Sequence, residues 1–174
     1  MRSFATFLLL SLAWVSPMPA PVLAGEAQTC SVFVDITDSD PRGTNVRAAP
    51  GSAVIAALKN TGDGWVSVHL TGQAGDWFRI DRASLVDAGR PQGGTTIFHG
   101  TGWLHKSVLG VSGMQNGGAI YADHDTASRA IDHHAAGDQA VSLLGCWGPF
   151  LKVQVKKGVG WTRDACTNMN TTCA

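Results

Sequence analysis

Few side chains in this chain have the type and spacing to carry out chemistry, and most of the candidate metal ligands lie in one short segment. Asp123-His124-Asp125 is followed by His133-His134, which gives five potential ligands close together. Imidazole and carboxylate groups suit zinc. Adjacent residues of an extended strand point to opposite faces, so at most one of His133 and His134 can join such a cluster. We therefore expect no metal site and no cofactor, and a small metal-dependent enzyme is the weakest alternative.

The residues needed for hydrolytic catalysis form no recognisable pattern. No Gly-x-Ser-x-Gly segment marks a nucleophile elbow. Glu26 is the sole glutamate, so a carboxylate pair for sugar hydrolysis would have to come from aspartates. We expect that the protein is not an enzyme.

Aromatic side chains are stronger candidates for function. An indole offers a flat apolar face and one N–H donor, which suits sugar rings and peptides. For Trp103 and Trp161 the favoured interpretation is packing at the ends of a small barrel, whereas for Trp65 and Trp77 packing and ligand binding both stay open. Beyond residue 24 the tryptophans are Trp65, Trp77, Trp103, Trp147 and Trp161.

Two short strings repeat in the same order along the chain. Residues 100–105 and 158–163 share a Gly-x-Gly-Trp core, and they follow strand-like runs at 77–80 and 150–153. In both runs an outward aromatic precedes apolar, cationic and apolar residues, which is the period-2 pattern of a half-buried strand. Short apolar runs alternate with turn signals throughout. We expect an all-β fold of two tandem units.

The two units differ most between their last two strands. Ile80 and Trp103 are 23 positions apart, whereas Val153 and Trp161 are 8 apart. The first unit therefore carries an inserted loop of about 15 residues near 87–99. A loop of that length is either functional or mobile.

Residues 1–24 have the composition of a cleaved secretory signal peptide. Arg2 supplies a positive charge, residues 4–15 are largely apolar, and Ala24 precedes the expected cleavage point. An uncleaved membrane anchor is the alternative, but the apolar run is shorter than the roughly 20 residues that a span needs. No later segment resembles a span, and we expect a periplasmic or secreted protein.

The charge balance excludes some partner classes. The expected mature chain has 12 basic and 13 acidic residues, a net charge near −1. A protein that neutralises a phosphate backbone normally has a basic surplus, so we expect no nucleic-acid partner. The same balance disfavours adsorption to anionic lipid.

The cysteines predict disulfides rather than a metal site. Their even number in an exported chain favours two bonds, and no close Cys-x-x-Cys pair suggests zinc. Three pairings are possible and the sequence does not select one. The attractive choice joins Cys146 to Cys166 within the second unit and leaves the two outermost cysteines for each other. The four are Cys30, Cys146, Cys166 and Cys173.

Four segments of the first unit follow one another in the order of a known module. They are Asn45-Val46-Arg47-Ala48-Ala49-Pro50-Gly51, then Val54, Ile55 and Leu58, then the strand led by Trp77, and then Gly102-Trp103-Leu104-His105. In these segments the first unit resembles a bacterial SH3 (SH3b) domain. The second unit is similar but diverged, because Tyr121 and His124 stand where the first has Arg47 and Pro50. The resemblance implies a small barrel of five or six strands that attaches to cell-wall peptidoglycan or to partner peptides, with no catalytic residues.

Together these features predict an exported, non-catalytic protein of the bacterial cell envelope with two tandem SH3-like barrels. Residues 25–112 would form the first barrel and 113–174 the second, with a glycine-rich linker at 113–118. The expected partner is a peptidoglycan fragment or a peptide of an envelope protein; the alternative function is an envelope assembly factor. The expected ligand-binding residues are Asn45, Arg47, Trp65, Trp77 and Trp103.

Overall fold

The computed structural model describes residues 28–61, 64–87, 94–111, 113–114, 118–133, 141–155 and 157–166. The expected signal peptide, His134, Cys173 and the centre of the expected insertion, residues 88–93, lie outside them. Within the described ranges no helix is long and apolar enough to cross a membrane.

The prediction of an all-β fold is confirmed, since strands dominate the described residues. One short 3-10 helix, Lys106–Val108, separates the strands of the first half from those of the second. The first half contains β1 (Gln28–Ile36), β2 (Thr44–Arg47), β3 (Val54–Leu58), β4 (Trp65–Ala74), β5 (Trp77–Val86) and β6 (Thr95–His105). The second contains β7 (Leu109–Val111), β8 (Gly113–Met114), β9 (Ala119–Tyr121), β10 (Ala130–His133), β11 (Val141–Trp147), β12 (Phe150–Val155), β13 (Gly158–Thr162) and β14 (Ala165–Cys166).

Twelve strands form one open sheet in the order β10-β9-β13-β12-β11-β7-β1-β4-β5-β6-β2-β3, and β14 pairs with β8 apart from it. The six strands of each half follow the same order when the sheet is read from its outer edge to its centre. The equivalent strands are β1 and β7, β2 and β9, β3 and β10, β4 and β11, β5 and β12, and β6 and β13. The prediction of two separate barrels is not confirmed, because β1 pairs with β7 and joins both halves in one sheet.

The two halves also match in register. Arg47 of β2 pairs with Trp103 of β6, and Tyr121 of β9 pairs with Trp161 of β13. The repeated Gly-x-Gly-Trp strings therefore occupy equivalent positions, and the sequence repeat is also a structural repeat.

The core follows from the alternation of each strand. Val66, Val68 and Leu70 of β4 point inward as predicted and are 1%, 0% and 0% exposed. Phe78 of β5 and Leu151 of β12, which are equivalent, are also buried. The described residues contain no helical layer over this face, and its buried side chains form one hydrophobic cluster drawn from both halves.

One glycine in each repeated string is required by close packing. A Cβ on Gly102 would collide with Cγ1 of Val46, and a Cβ on Gly160 would collide with Cγ2 of Ile120. Val46 and Ile120 are equivalent core residues that are 0% exposed. The Gly-x-Gly-Trp string is therefore the place where β6 and β13 admit the buried side chain of the neighbouring strand.

Part of the expected inserted loop near 87–99 is strand. β6 begins at Thr95, which pairs with Leu85, and Thr96 pairs with Ser84. The insertion thus lengthens the β5–β6 hairpin, because its two arms carry enough strand-forming residues to continue the ladder.

The favoured disulfide pairing is wrong. Cys30 is bonded to Cys146, and Cys166 is disulfide-bonded as well. The reason is a bulge in β1 between Thr29 and Val32, where the chain turns from β4 towards Gly148 of the second half. There the N–H of Ser31 donates to the carbonyl of Gly148 at 2.8 Å.

Gln73 of β4 strengthens the same junction. Its Oε1 accepts from the N–H of Cys146 at 3.1 Å, and its Nε2 donates to the carbonyl of Leu144 at 3.3 Å. The halves are therefore linked by strand pairing, by side-chain hydrogen bonds and by a covalent bond.

The Cys30–Cys146 bond predicts a large stability effect. It closes a loop with a sequence separation of 116 residues, so the double variant Cys30→Ala/Cys146→Ala should lose about 2–5 kcal/mol of unfolding free energy. Urea unfolding monitored by tryptophan fluorescence measures this loss. The bond at Cys166 is kept in the variant, and an unchanged midpoint would show that Cys30–Cys146 does not constrain the folded chain.

The structural repeat predicts matched effects of two substitutions. Gly102→Ala and Gly160→Ala should each lower the free energy of unfolding by about 1–3 kcal/mol, because the added methyl group overpacks the core. The exposed neighbour Thr101 provides the control, since Thr101→Ala should change stability by less than about 0.5 kcal/mol. If only one glycine variant is destabilised in thermal unfolding, the halves are not equivalent.

Candidate binding surface

The outward face of the first half carries three side chains at one level of the sheet. Arg47 of β2 pairs with Trp103 of β6, which pairs on its other side with Arg79 of β5. Their neighbours Val46 and Leu104 point into the core and are 0% exposed. The half-buried indole of Trp103 therefore lies between two half-buried cations. We call Arg47, Trp103 and Arg79 the first row.

Trp77 and His105 lie beside the first row. They pair across β5 and β6, and their ring centroids are 5.2 Å apart in an edge-on arrangement. The Cζ atom of Arg47 lies 6.0 Å from the centroid of the Trp77 ring, at the outer limit for a cation–π contact. The half-buried Trp77 thus faces outward, as its position in β5 predicts.

Hydrogen bonds fix both guanidinium groups without neutralising them. Arg47 donates through one nitrogen to the carbonyl of Ser52. Arg79 donates from Nε to Oγ1 of Thr71 and from the terminal nitrogen to the carbonyl of Thr71, each at 3.1 Å. No ion pair of the described residues involves Arg47 or Arg79. The first row is therefore a cationic surface with unused N–H donors.

Beside this surface, Lys106 and Asp76 form an ion pair whose opposite charges balance. Lys106 contacts Oδ1 of Asp76 at 2.8 Å, and this hydrogen bond is the main reason why the pKa of Asp76 is lowered. Asp76 thus stays ionised at mildly acidic pH, with Lys106 balancing its charge. The positive surplus of this face remains on the first row.

Of the five predicted ligand-binding residues, the structure places Trp65 apart from the other four. Exposed Asn45 precedes Arg47 by two positions and shares its face of β2. Trp65 is only 5% exposed and pairs with Val86. Ala74, the partner of Trp77, lies at the opposite end of β4, roughly 30 Å away at 3.3 Å per residue. The predicted residues on one face are Asn45, Arg47, Trp77 and Trp103.

Two residues of this surface were missed in the sequence. Arg79 follows Trp77 by two positions and His105 follows Trp103 by two, so both alternate to the outward face. The signal was the same period of two that placed Trp77 outward.

The second half repeats the row with one substitution. Tyr121 pairs with Trp161, and Trp161 pairs with Lys152. The Nζ atom of Lys152 lies 5.4 Å from the centroid of the Trp161 ring. We call Tyr121, Trp161 and Lys152 the second row. It has the indole and one cation of the first row, but a phenol replaces the second cation.

The predicted outward position of Phe150 does not leave it exposed to solvent. Phe150 is equivalent to Trp77 but is only 7% exposed. The ring of Tyr121 packs edge-on against it with centroids 6.5 Å apart, whereas the guanidinium of Arg47 leaves Trp77 half-buried. The exchange of Arg47 for Tyr121 thus covers the aromatic at the head of β12.

His124 lies between two indoles rather than in a cluster of metal ligands. Its ring centroid is 4.7 Å from that of Trp147 and 5.3 Å from that of Trp161. Its Nδ1 contacts Oδ1 of Asp123 at 2.6 Å. The described residues contain no group of three or more metal-binding side chains. Trp147 is 44% exposed, so this stack offers an accessible indole beside the second row.

Comparisons with known proteins assign neither fold nor function. No family model and no curated protein matches the chain. NlpC2 from Trichomonas vaginalis is similar at 11% identity with a TM-score of 0.35, over 82% of this chain and 50% of that one. NlpC1 from the same organism gives 11% identity and a TM-score of 0.34 over 85% and 50%. The chain spans about half the length of each of these structures, and both TM-scores are too low to carry an argument.

Proposed function

We propose that this chain is an exported binding protein of the bacterial cell envelope, and that its first row binds carboxylate groups of a peptidoglycan fragment. The observation that carries the proposal is the indole of Trp103 between the unneutralised guanidinium groups of Arg47 and Arg79. A guanidinium binds a carboxylate through two parallel hydrogen bonds, and an indole stacks on a sugar ring. Peptidoglycan carries carboxylates and sugar rings in one polymer.

The proposed module is an SH3-like unit, present twice. The support is the equivalent strand order of the two halves, the equivalent tryptophans and the glycines that admit Val46 and Ile120. We place the signal peptide at residues 1–24 and the modules at 25–112 and 113–174, as the sequence indicates. β7 pairs with β1 and with β11 alike, but its place in the strand order is equivalent to that of β1, which favours counting it with the second module.

An exported location agrees with the cysteine chemistry. The Cys30–Cys146 bond connects distant parts of the chain, and such bonds persist in oxidising compartments. A periplasmic or secreted protein is therefore the proposed context.

A second candidate function is an assembly factor that binds an acidic peptide of another envelope protein. The observation in its favour is the replacement of Arg47 by Tyr121, which covers Phe150 and removes one cation from the second row. A repeated wall polymer favours two like surfaces, whereas a single protein partner tolerates two different ones.

Cosedimentation of residues 25–174 with purified peptidoglycan sacculi tests the proposal. Arg47→Ala removes one guanidinium and should weaken binding about tenfold or more, which corresponds to a charge-assisted hydrogen bond. Arg42→Ala is the matched control, because Arg42 is 89% exposed and pairs locally with Asp40. The same charge change there should leave binding intact.

The outcomes separate the two candidates. Equal binding by Arg47→Ala and Arg42→Ala would place the ligand elsewhere. If the parent protein ignores sacculi but crosslinks to one envelope protein through Arg47, the second candidate replaces the first.

A further inference from the structure

A hydroxyl, an imidazole and a carboxylate meet on the opposite side of the β1–β4–β5 strands from the described core. Oγ of Ser31 lies 3.1 Å from Nε2 of His69, and Nδ1 of His69 lies 2.8 Å from Oδ1 of Asp81. The three residues come from three adjacent strands. This site is separate from both rows and belongs to none of the patterns that the sequence offered.

Two irregularities of the sheet create the arrangement. Phe33 pairs with His69, and the bulge of β1 just before Phe33 turns Ser31 towards the same imidazole. On the other side, His69 pairs with Arg82 while Leu70 pairs with Ile80, so Asp81 is the extra residue of a bulge. Bulges of this kind redirect side chains and are enriched beside active sites.

The two hydrogen bonds of His69 fit one tautomer of the neutral ring. The carboxylate of Asp81 only accepts, so Nδ1 of His69 must carry the proton of that bond. In the neutral ring Nε2 is then an acceptor, and the hydroxyl of Ser31 donates to it. This is the protonation state in which an imidazole can act as general base towards a serine.

The imidazole is also held in place by packing. The His69 side chain is 17% exposed, and its ring centroid lies 4.7 Å from that of Phe33. Asp81 is 53% exposed and acts through His69 as a positioning residue. Ser31 is exposed and so accessible to a substrate.

A cavity of about 320 Å³ opens beside Ser31 at the junction of the two halves. Val32 and Phe33 contribute apolar side chains from β1, and Pro149 and Leu151 from the second half, whereas Ser31 and Thr162 contribute hydroxyl groups, so the wall is mixed. Arg163 lines the same cavity and brings a guanidinium to it. A small ester, which combines an apolar acyl chain with polar oxygen atoms, matches this size and this mixed lining.

We propose that Ser31, His69 and Asp81 form a nucleophilic site that hydrolyses small carboxylic esters. Oγ of Ser31 attacks the carbonyl carbon while its proton passes to Nε2 of His69. The bond to the leaving alkoxide breaks, the alcohol takes that proton, and the acyl group stays on Ser31. Water then attacks the acyl group, gives a proton through His69 back to Ser31, and releases the acid.

The proposed nucleophilic site does not depend on the proposed binding function, so each proposal can be tested and rejected without the other. The sequence predicts no enzyme because it lacks a nucleophile elbow, and here the serine is presented by a strand bulge instead. Cys30, next to Ser31, is bonded to Cys146. The disulfide therefore also holds the nucleophile at the cavity.

A fluorophosphonate probe tests the site in oxidised protein comprising residues 25–174. We expect one phosphonyl group per chain, located on Ser31 by peptide mass spectrometry and absent in Ser31→Ala. His69→Phe keeps the ring stack on Phe33 but removes the base, so labelling should slow at least about 100-fold. Asp81→Asn should also slow labelling, and Asp81→Glu should restore part of the rate.

Ser107 provides a matched control within the chain. Its hydroxyl lies 2.8 Å from Nδ1 of His105, and its N–H donates to the same nitrogen. Among the described residues, no carboxylate is hydrogen-bonded to the ring of His105. Ser107→Ala should label like the parent protein, and p-nitrophenyl butyrate hydrolysis should fall in Ser31→Ala but not in Ser107→Ala. No labelling of Ser31, equal labelling of Ser107, or an unchanged rate in His69→Phe would overturn the proposal. Circular dichroism confirms that the variants are folded.

Discussion

Where β1 lies beside β7, each half of the sheet would otherwise end in an edge strand with unpaired backbone groups. The contact is short: Asp35 pairs with Gly110, Ile36 pairs with Leu109, and the N–H of Thr37 donates to the carbonyl of Val108 at 3.0 Å. All three residues of β7 are buried, which fits a strand with neighbours on both sides. Open edges invite pairing with other chains, and this contact removes two of them at once.

Other features of the molecule follow from that junction. β1 pairs with β4, but at Cys30 and Ser31 it bulges and bonds to Gly148 of the second half instead. The bulge brings Cys30 to Cys146 and opens the cavity between the halves. The two rows lie on the strands that the sequence repeat defines, and neither row includes a residue of the triad. The structure thus separates a repeated surface, suited to binding, from a single junction with the geometry of a nucleophilic site.

The sequence predicted what depends on local periodicity. Alternation was enough to assign the strands, the inward side chains of β4 and the outward position of Trp77, and the repeated string located Trp103 and Trp161 in equivalent places. Features that depend on contacts between distant parts of the chain could not be predicted from the sequence. The Cys30–Cys146 bond spans 116 positions, and the triad joins residues on three strands through two bulges, which no period reveals.

The surroundings of single aromatic residues also could not be predicted from the pattern of their own strand. Tyr121 in place of Arg47 covers Phe150, although the strand pattern of Phe150 equals that of Trp77. For Trp65 the sequence left packing and ligand binding both open, and pairing with Val86 places it far from the first row. In both cases the deciding neighbour comes from another strand, so the alternation of one strand carries no information about it.

Amide hydrogen exchange of Leu109–Val111, resolved residue by residue by NMR, tests the junction most directly. If β7 joins the halves, its hydrogen-bonded amides should exchange only through global unfolding, with the same opening free energy as those of β4 and β11. Exchange of the β7 amides as fast as that of the turn at residues 48–52, while β4 and β11 stay protected, would show that the halves are not one sheet.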